Sequence, residues 1–119
     1  MSSEVLVLDD ELNIRKILAA MLKAEGYLVH AVASIAEAKD KIRHQKIQAV
    51  LSDLRLVRED GVQLLKWVKE EYPSIPVIIL TAHGTIDSAV DAMKQGAFDY
   101  LSKPFDRNEL VRVIKKAVL

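Results

Sequence analysis

The sequence contains no cysteine, which excludes disulfides and thiolate chemistry and fits a reducing, cytoplasmic setting. It also lacks net charge. Its 17 basic side chains balance 17 acidic ones, so the chain has no general electrostatic claim on nucleic acid or on an anionic membrane surface. No run approaches the roughly 20 consecutive apolar residues of a membrane span. Met1-Ser2-Ser3-Glu4 lacks the basic and apolar regions of a secretory leader. Aromatic residues are scarce, at 5%. The one tryptophan, Trp67, falls on a helical pattern and reads as partly buried packing, not as a platform for stacking bases. Internal repeats, low-complexity segments and linkers are missing as well. What is present is a chain of 119 residues, half of them hydrophobic, long enough to bury one core as a single domain.

Glu4-Val5-Leu6-Val7-Leu8 is an apolar run without alternation, the mark of a strand buried on both faces. It ends at Asp9-Asp10-Glu11. Ile14, Ile17, Leu18, Met21 and Leu22 then follow helical spacing, and Gly26 marks the stop. Leu28 to Ala33 reads as a second strand. Ser34 and Glu37 form a capping box that opens a helix with Ile35, Ala38 and Ile42 on one face. The third strand, Ala49 to Asp53, runs apolar residues toward one carboxylate. Leu54 to Asp60 is a loop, and Gly61, Leu64, Leu65 and Val68 mark the inner face of a third helix stopped at Tyr72-Pro73. Val77 to Thr81 is the most apolar strand and is expected at the centre of the sheet. The loop Ala82-His83-Gly84 leads to Thr85 as N-cap of a fourth helix, which carries Ile86, Ala89, Val90 and Met93 and ends at Gly96. Phe98 to Leu101 is the fifth strand and Lys103-Pro104 a turn. Asp106 with Glu109 caps a last helix carrying Leu110, Val113, Ile114 and Ala117.

This alternation predicts an α/β domain in which a parallel sheet is covered by helices on both faces. Right-handed crossovers leave few topologies. Among them we take the flavodoxin-like doubly wound (βα)5 order 2-1-3-4-5, which sets strands 1 and 3 side by side at the switch point. The pattern stops inside a helix at Leu119, from which a longer protein is expected.

In that order Asp9, Asp10 and Asp53 converge at one sheet edge. Like charges that close need protonation or a cation, and an all-oxygen donor set suits Mg²⁺. The plainer reading, in which Asp9 and Asp10 only cap the first helix, loses ground because a third acid ends the neighbouring strand. Thr81 ends the fourth strand and Lys103 follows the fifth. Singly these are a β-branched strand end and a solvated turn lysine. With the acids they form a set suited to phosphoryl chemistry. A carboxylate nucleophile forms an acyl phosphate, while hydroxyl and ammonium meet the phosphoryl oxygens. Proline after Lys103 admits a cis bond, which would aim the ammonium back at the site.

Leu8-Asp9-Asp10-Glu11, Ser52-Asp53-Leu54, Leu80-Thr81-Ala82 and Asp99-Tyr100-Leu101-Ser102-Lys103-Pro104-Phe105 together resemble the receiver domain of two-component response regulators, over essentially the whole length. Thr81-Ala82-His83-Gly84, with the stretch from Ala89 to Tyr100, is similar to the NtrC-type subgroup, whose members carry an ATPase and a DNA-binding domain and activate sigma-54 promoters. The resemblance implies that Asp53 accepts a phosphoryl group from a sensor histidine kinase. It implies that Asp9 and Asp10 hold Mg²⁺ with Asp53 and the backbone carbonyl of Arg55, Asp10 most directly. Thr81 and Lys103 would contact phosphoryl oxygens, and Thr81 and Tyr100 would form a switch pair. The face from the fourth helix through the fifth strand and helix would change and mediate a homodimer, with output domains beyond residue 119. Such a domain is a regulatory phospho-acceptor, not an enzyme in its own right.

One departure stands out. The loop after Asp53 usually reads like Met-Pro-Gly, but here it is Leu56-Val57-Arg58-Glu59-Asp60-Gly61. Val57 replaces proline, so a fixed φ is lost. Arg55 and His83 flank the site where relatives tune phosphate lifetime. We read His83, like His30 and His44, as a solvated loop histidine rather than a base. The alternative function is an aspartyl-phosphate phosphohydrolase. The common pattern there places a second Asp two residues after the nucleophile, and Arg55 occupies that position. A nucleotide-binding domain would need a glycine cradle after the first strand, where Asp-Asp-Glu stands instead.

Overall fold

The computed structural model describes residues 2–81 and 86–119. Strands and helices alternate throughout: β1 (Glu4–Leu8), α1 (Leu12–Ala24), β2 (Leu28–Val32), α2 (Ile35–His44), β3 (Ile47–Asp53), α3 (Gly61–Glu71), β4 (Val77–Thr81), α4 (Ile86–Lys94), β5 (Asp99–Ser102) and α5 (Arg107–Val118). The sheet is parallel, in the order β2-β1-β3-β4-β5. This is the doubly wound order expected from the sequence.

The interior strands lack alternation because both of their faces are covered. Val5, Val7, Leu51, Ile78 and Leu80 pack with Leu18 and Leu22 of α1 and Leu110 and Ile114 of α5. Leu6, Leu8, Val50, Val77 and Ile79 point the other way, into a second apolar layer with Ile42 of α2 and Leu64, Leu65 and Val68 of α3. Trp67 packs beside that layer, with the Lys39 ammonium 5.3 Å and the Arg43 guanidinium 5.2 Å from its ring. Local signals set the helix ends. Ser34 Oγ accepts from the Glu37 amide at 3.2 Å, the N-cap half of a capping box, and donates to the Glu37 carboxylate at 3.0 Å. Asp60 and Asp106 cap α3 and α5 by accepting from the amides two residues on, those of Val62 and Asn108. Gly26 and Gly96 take φ of 93° and 101°, and the amides of Tyr27 and Ala97 reach back to the carbonyls of Leu22 and Ala92. Glycine tolerates that backbone at no steric cost.

Several expectations need correction. β3 begins at Ile47, which pairs with Glu4, and β5 begins at Asp99, leaving Phe98 exposed. β4 is interior and fully buried, but β3 holds the centre of the sheet. Ile17 is 46% exposed, because the buried stripe of α1 runs through Leu18 and Leu22 and one step along a helix turns a side chain by about 100°. α4 is likewise rotated: it buries Ala89 and Ala92 and exposes Val90 and Met93. His30 is not a solvated loop residue. It lies on β2, with its Nε2 2.9 Å from the Glu4 carboxylate. His44 is exposed but ends α2 instead of lying in a loop. The loop Ala82-His83-Gly84 and the Thr85 cap lie outside the described residues.

α3 starts hard against the end of β3. Gly61 donates to the Leu54 carbonyl at 2.9 Å, and a Cβ there would lie 2.2 Å from the carbonyl oxygen of Asp53 and 2.8 Å from that of Leu54. Both obstacles are backbone, so helix or strand must move to admit it. Gly61→Ala is therefore expected to destabilise the fold by about 1–3 kcal/mol, read as a lower urea midpoint at unchanged slope. An unchanged midpoint would show slack at this junction.

Candidate phosphoryl site at the sheet edge

Parallel register brings the C-terminal strand ends together. Leu8 pairs with Ser52, Asp53 with Leu80, and Thr81 with Ser102. The residues just beyond these ends therefore share one edge. Asp9, Asp53 and Thr81 are buried there, Asp53 to within 5% of full burial. Asp10 is half-buried. One carboxylate oxygen from each of Asp9, Asp10 and Asp53 lies within 4.8 Å of the other two. The Lys103 ammonium donates to Asp9 Oδ2 at 2.9 Å and to Asp53 Oδ2 at 3.1 Å. The Lys103–Pro104 peptide is cis, and the Lys103 amide donates to the Thr81 carbonyl at 2.7 Å.

Backbone donors complete the edge. Asp9 Oδ1 accepts from the Glu11 amide at 2.9 Å, Asp53 Oδ1 from the Arg55 amide at 3.1 Å, and Asp10 Oδ2 from the Val57 amide. The Arg15 guanidinium donates to the Asp9 carbonyl at 2.8 Å, pinning the β1–α1 loop. Sequence reasoning missed Arg15 and Val57. Main-chain donors leave no mark in a sequence, and Arg15 reads as an ordinary polar helix position. The Arg55 side chain is exposed, in keeping with its lying outside the carboxylate cluster. Tyr100 stands apart from the acids. Its register partner is Ile79, and the residue, 40% exposed, lines a largely apolar groove of about 410 Å³ with Ala89, Val90, Met93 and Lys94. His83 lies outside the described residues.

Burial pushes the Asp53 carboxyl above its ordinary range. The Arg55 amide and the Lys103 ammonium pull it back, and Asp9 adds to the rise. Burial lowers Lys103, but its bonds to Asp9 and its attraction to Asp53 outweigh that and leave the ammonium more firmly protonated than a free lysine. The edge thus combines a buried carboxylate, a fixed ammonium and an all-oxygen donor set that fits a hard divalent cation.

Residues 5–115 match the family model of the response regulator receiver domain. The chain is 43% identical over 114 residues to the DNA-binding transcriptional regulator NtrC of Proteus hauseri, covering 96% of this chain and 24% of that protein. It is 43% identical over 116 residues to a putative NtrX-like response regulator of Rickettsia typhi, again over 96% and 24%. The chain thus spans about a quarter of the length of these curated relatives. Among solved structures, NtrX from Brucella abortus in complex with ADP superposes with a TM-score of 0.93 at 34% identity, over 99% of this chain and 27% of that one. The beryllofluoride-activated NtrC4 receiver domain dimer superposes at 0.91 and 37% identity, over 97% and 95%.

The raised Asp53 value has a testable sign. Without a cation, the charged carboxylate costs stability above its folded-state value and costs nothing below its unfolded one. In chelator, Asp53→Asn is expected to raise the unfolding free energy at neutral pH, and the gain should fade as pH drops through the ordinary carboxylate range. Urea midpoints against pH check this. A loss of stability at neutral pH would show that attraction to Lys103 outweighs burial.

Proposed function

The chain belongs to the response regulator receiver domain family, and from that premise we propose that it is a phosphorylation-dependent switch in which Asp53 takes a phosphoryl group from a phosphohistidine on a sensor kinase. The observation that carries this reading is the buried Asp53 carboxylate, bonded to Lys103 and grouped with Asp9 and Asp10. An oxygen of Asp53 attacks phosphorus, the P–N bond breaks as the O–P bond forms, and the imidazole nitrogen leaves with the bonding pair. The product is an acyl phosphate. Lys103 stays protonated through the step and meets the charge on the transferred oxygens, work that in phosphoryl transfer is mostly electrostatic. The Thr81 hydroxyl, buried at the neighbouring strand end, supplies a further donor to those oxygens. Asp9, Asp10, Asp53 and the Arg55 carbonyl would hold Mg²⁺, which when bound offsets negative charge on the acids and on the phosphoryl group.

The modification becomes a shape change through Thr81 and Tyr100. The hydroxyl is drawn toward the phosphoryl group, and the Tyr100 ring, half out of its groove, turns inward. The exposed side chains of Val90, Met93 and Tyr100 lie on the face from α4 to α5, where a second copy docks. The relative solved as an activated receiver dimer supports that reading. Output domains for ATP hydrolysis and DNA binding follow residue 119 in the full protein, which works in the cytoplasm. No helix among the described residues is long and apolar enough to cross a membrane.

The test is mass spectrometry after incubation with Mg²⁺ and a small acyl phosphate donor. One phosphoryl group is expected on the wild-type chain, labile in base, and none on Asp53→Asn. Equal labelling of the variant, or a base-stable adduct, would overturn the assignment. Sustained turnover of a phosphate ester would favour the phosphohydrolase instead.

A further inference from the structure

Val57 lies in the β3–α3 loop and is 86% exposed, yet its main-chain N–H donates to Oδ2 of Asp10. We propose that this amide is a positioning group that holds the Asp10 carboxylate turned into the site, ready for the divalent cation. The proposal rests on reading the three acids as a Mg²⁺ site.

Asp10 is the acid that needs holding. Asp9 and Asp53 are buried, and each is fixed by Lys103 together with a local backbone amide. Asp10 is half-buried and receives no bond from Lys103. Two like charges at its back favour rotation of its side chain toward water. Among the described residues, the Val57 N–H is the hydrogen-bond donor its carboxylate meets. A bond from a neutral donor to a carboxylate is charge-assisted and strong enough to select one orientation. It engages Oδ2, and a carboxylate has lone pairs enough on its two oxygens to accept the amide and hold a cation together.

The donor is itself anchored. Leu56 is buried, and its amide donates to the Glu59 carbonyl at 3.2 Å. Arg55 and Asp60 form an antiparallel bridge across the turn. The Glu59 carboxylate accepts from the Ile35 amide at 3.1 Å, tying the loop to the start of α2. A turn closed in three ways presents the Val57 amide at a fixed place. The Val57 side chain packs against little, so what this position contributes is its N–H. Any residue but proline supplies one.

The experiment is a calorimetric Mg²⁺ titration of the wild-type chain, Val57→Ala and Val57→Pro, with amide hydrogen exchange followed by NMR. Val57→Ala is expected to bind as wild type does. Val57→Pro should bind about tenfold more weakly, the usual scale for losing an outer-shell partner of a metal ligand. Equal or tighter binding by Val57→Pro would overturn the proposal. The exchange measurement decides the matter even if the proline variant fails to fold. The Val57 amide should be protected in the wild type, remain protected at saturating Mg²⁺, and lose protection in Asp10→Ala. Release of the amide when Mg²⁺ is added would show competition for Oδ2 and overturn the positioning role. Absence of Mg²⁺ binding by the wild type would overturn the reading of the site itself, which the Val57 variants alone cannot do.

Discussion

The ammonium of Lys103, held between the carboxylates of Asp9 and Asp53, is the contact on which the whole sheet edge depends. Two unit charges about 4 Å apart interact by about 4 kcal/mol at an effective dielectric near 20. Three acids gathered at one edge would therefore drive each other toward protonation or outward rotation. One ammonium from the turn after β5 answers two of them. It does so from a position fixed by backbone, since the Lys103 amide is bonded to the Thr81 carbonyl. The cation that the donor set fits would balance what Lys103 leaves over.

The remainder of the fold serves to make that meeting place rigid. β1, β3 and β4 are buried on both faces, so their ends cannot drift relative to one another. α3 begins so tightly after β3 that only glycine fits at Gly61. Each acid then has its own amide: Glu11 for Asp9, Arg55 for Asp53 and Val57 for Asp10. The face from α4 to α5 is built differently. Small Ala89 and Ala92 face the core there, while Val90, Met93 and Tyr100 stay exposed. That face keeps its larger apolar side chains in solvent and commits only small ones to its own core.

Most of this architecture could be read from the residues. Apolar runs without alternation announce doubly covered strands, and the capping box at Ser34 and the glycines at Gly26 and Gly96 mark helix ends by mechanisms that act within a few residues. Reading failed where the deciding partner is distant in sequence. Ile17 and Val90 fit a helical stripe as well as their neighbours do, and only the packed sheet decides which side faces inward. His30 reads as solvated because nothing near it in sequence shows Glu4 across the strand pair. Asp9, Asp10, Asp53 and Lys103 were legible as candidates because they sit at successive strand ends, and the structure brings those four together. Arg15 and the Val57 amide were not legible. Their part lies in backbone bonds, which side-chain chemistry does not encode.

The central claim is that Asp53, and no other acid of the cluster, becomes phosphorylated. Hydride reduction of the phosphorylated chain followed by peptide mapping tests it most directly, because an acyl phosphate is reduced to an alcohol at the modified residue while free carboxylates survive. The account predicts that position 53 alone is converted, with Asp9 and Asp10 intact. Conversion at either of those, or a phosphoryl group that resists reduction and maps to a hydroxyl, would contradict it.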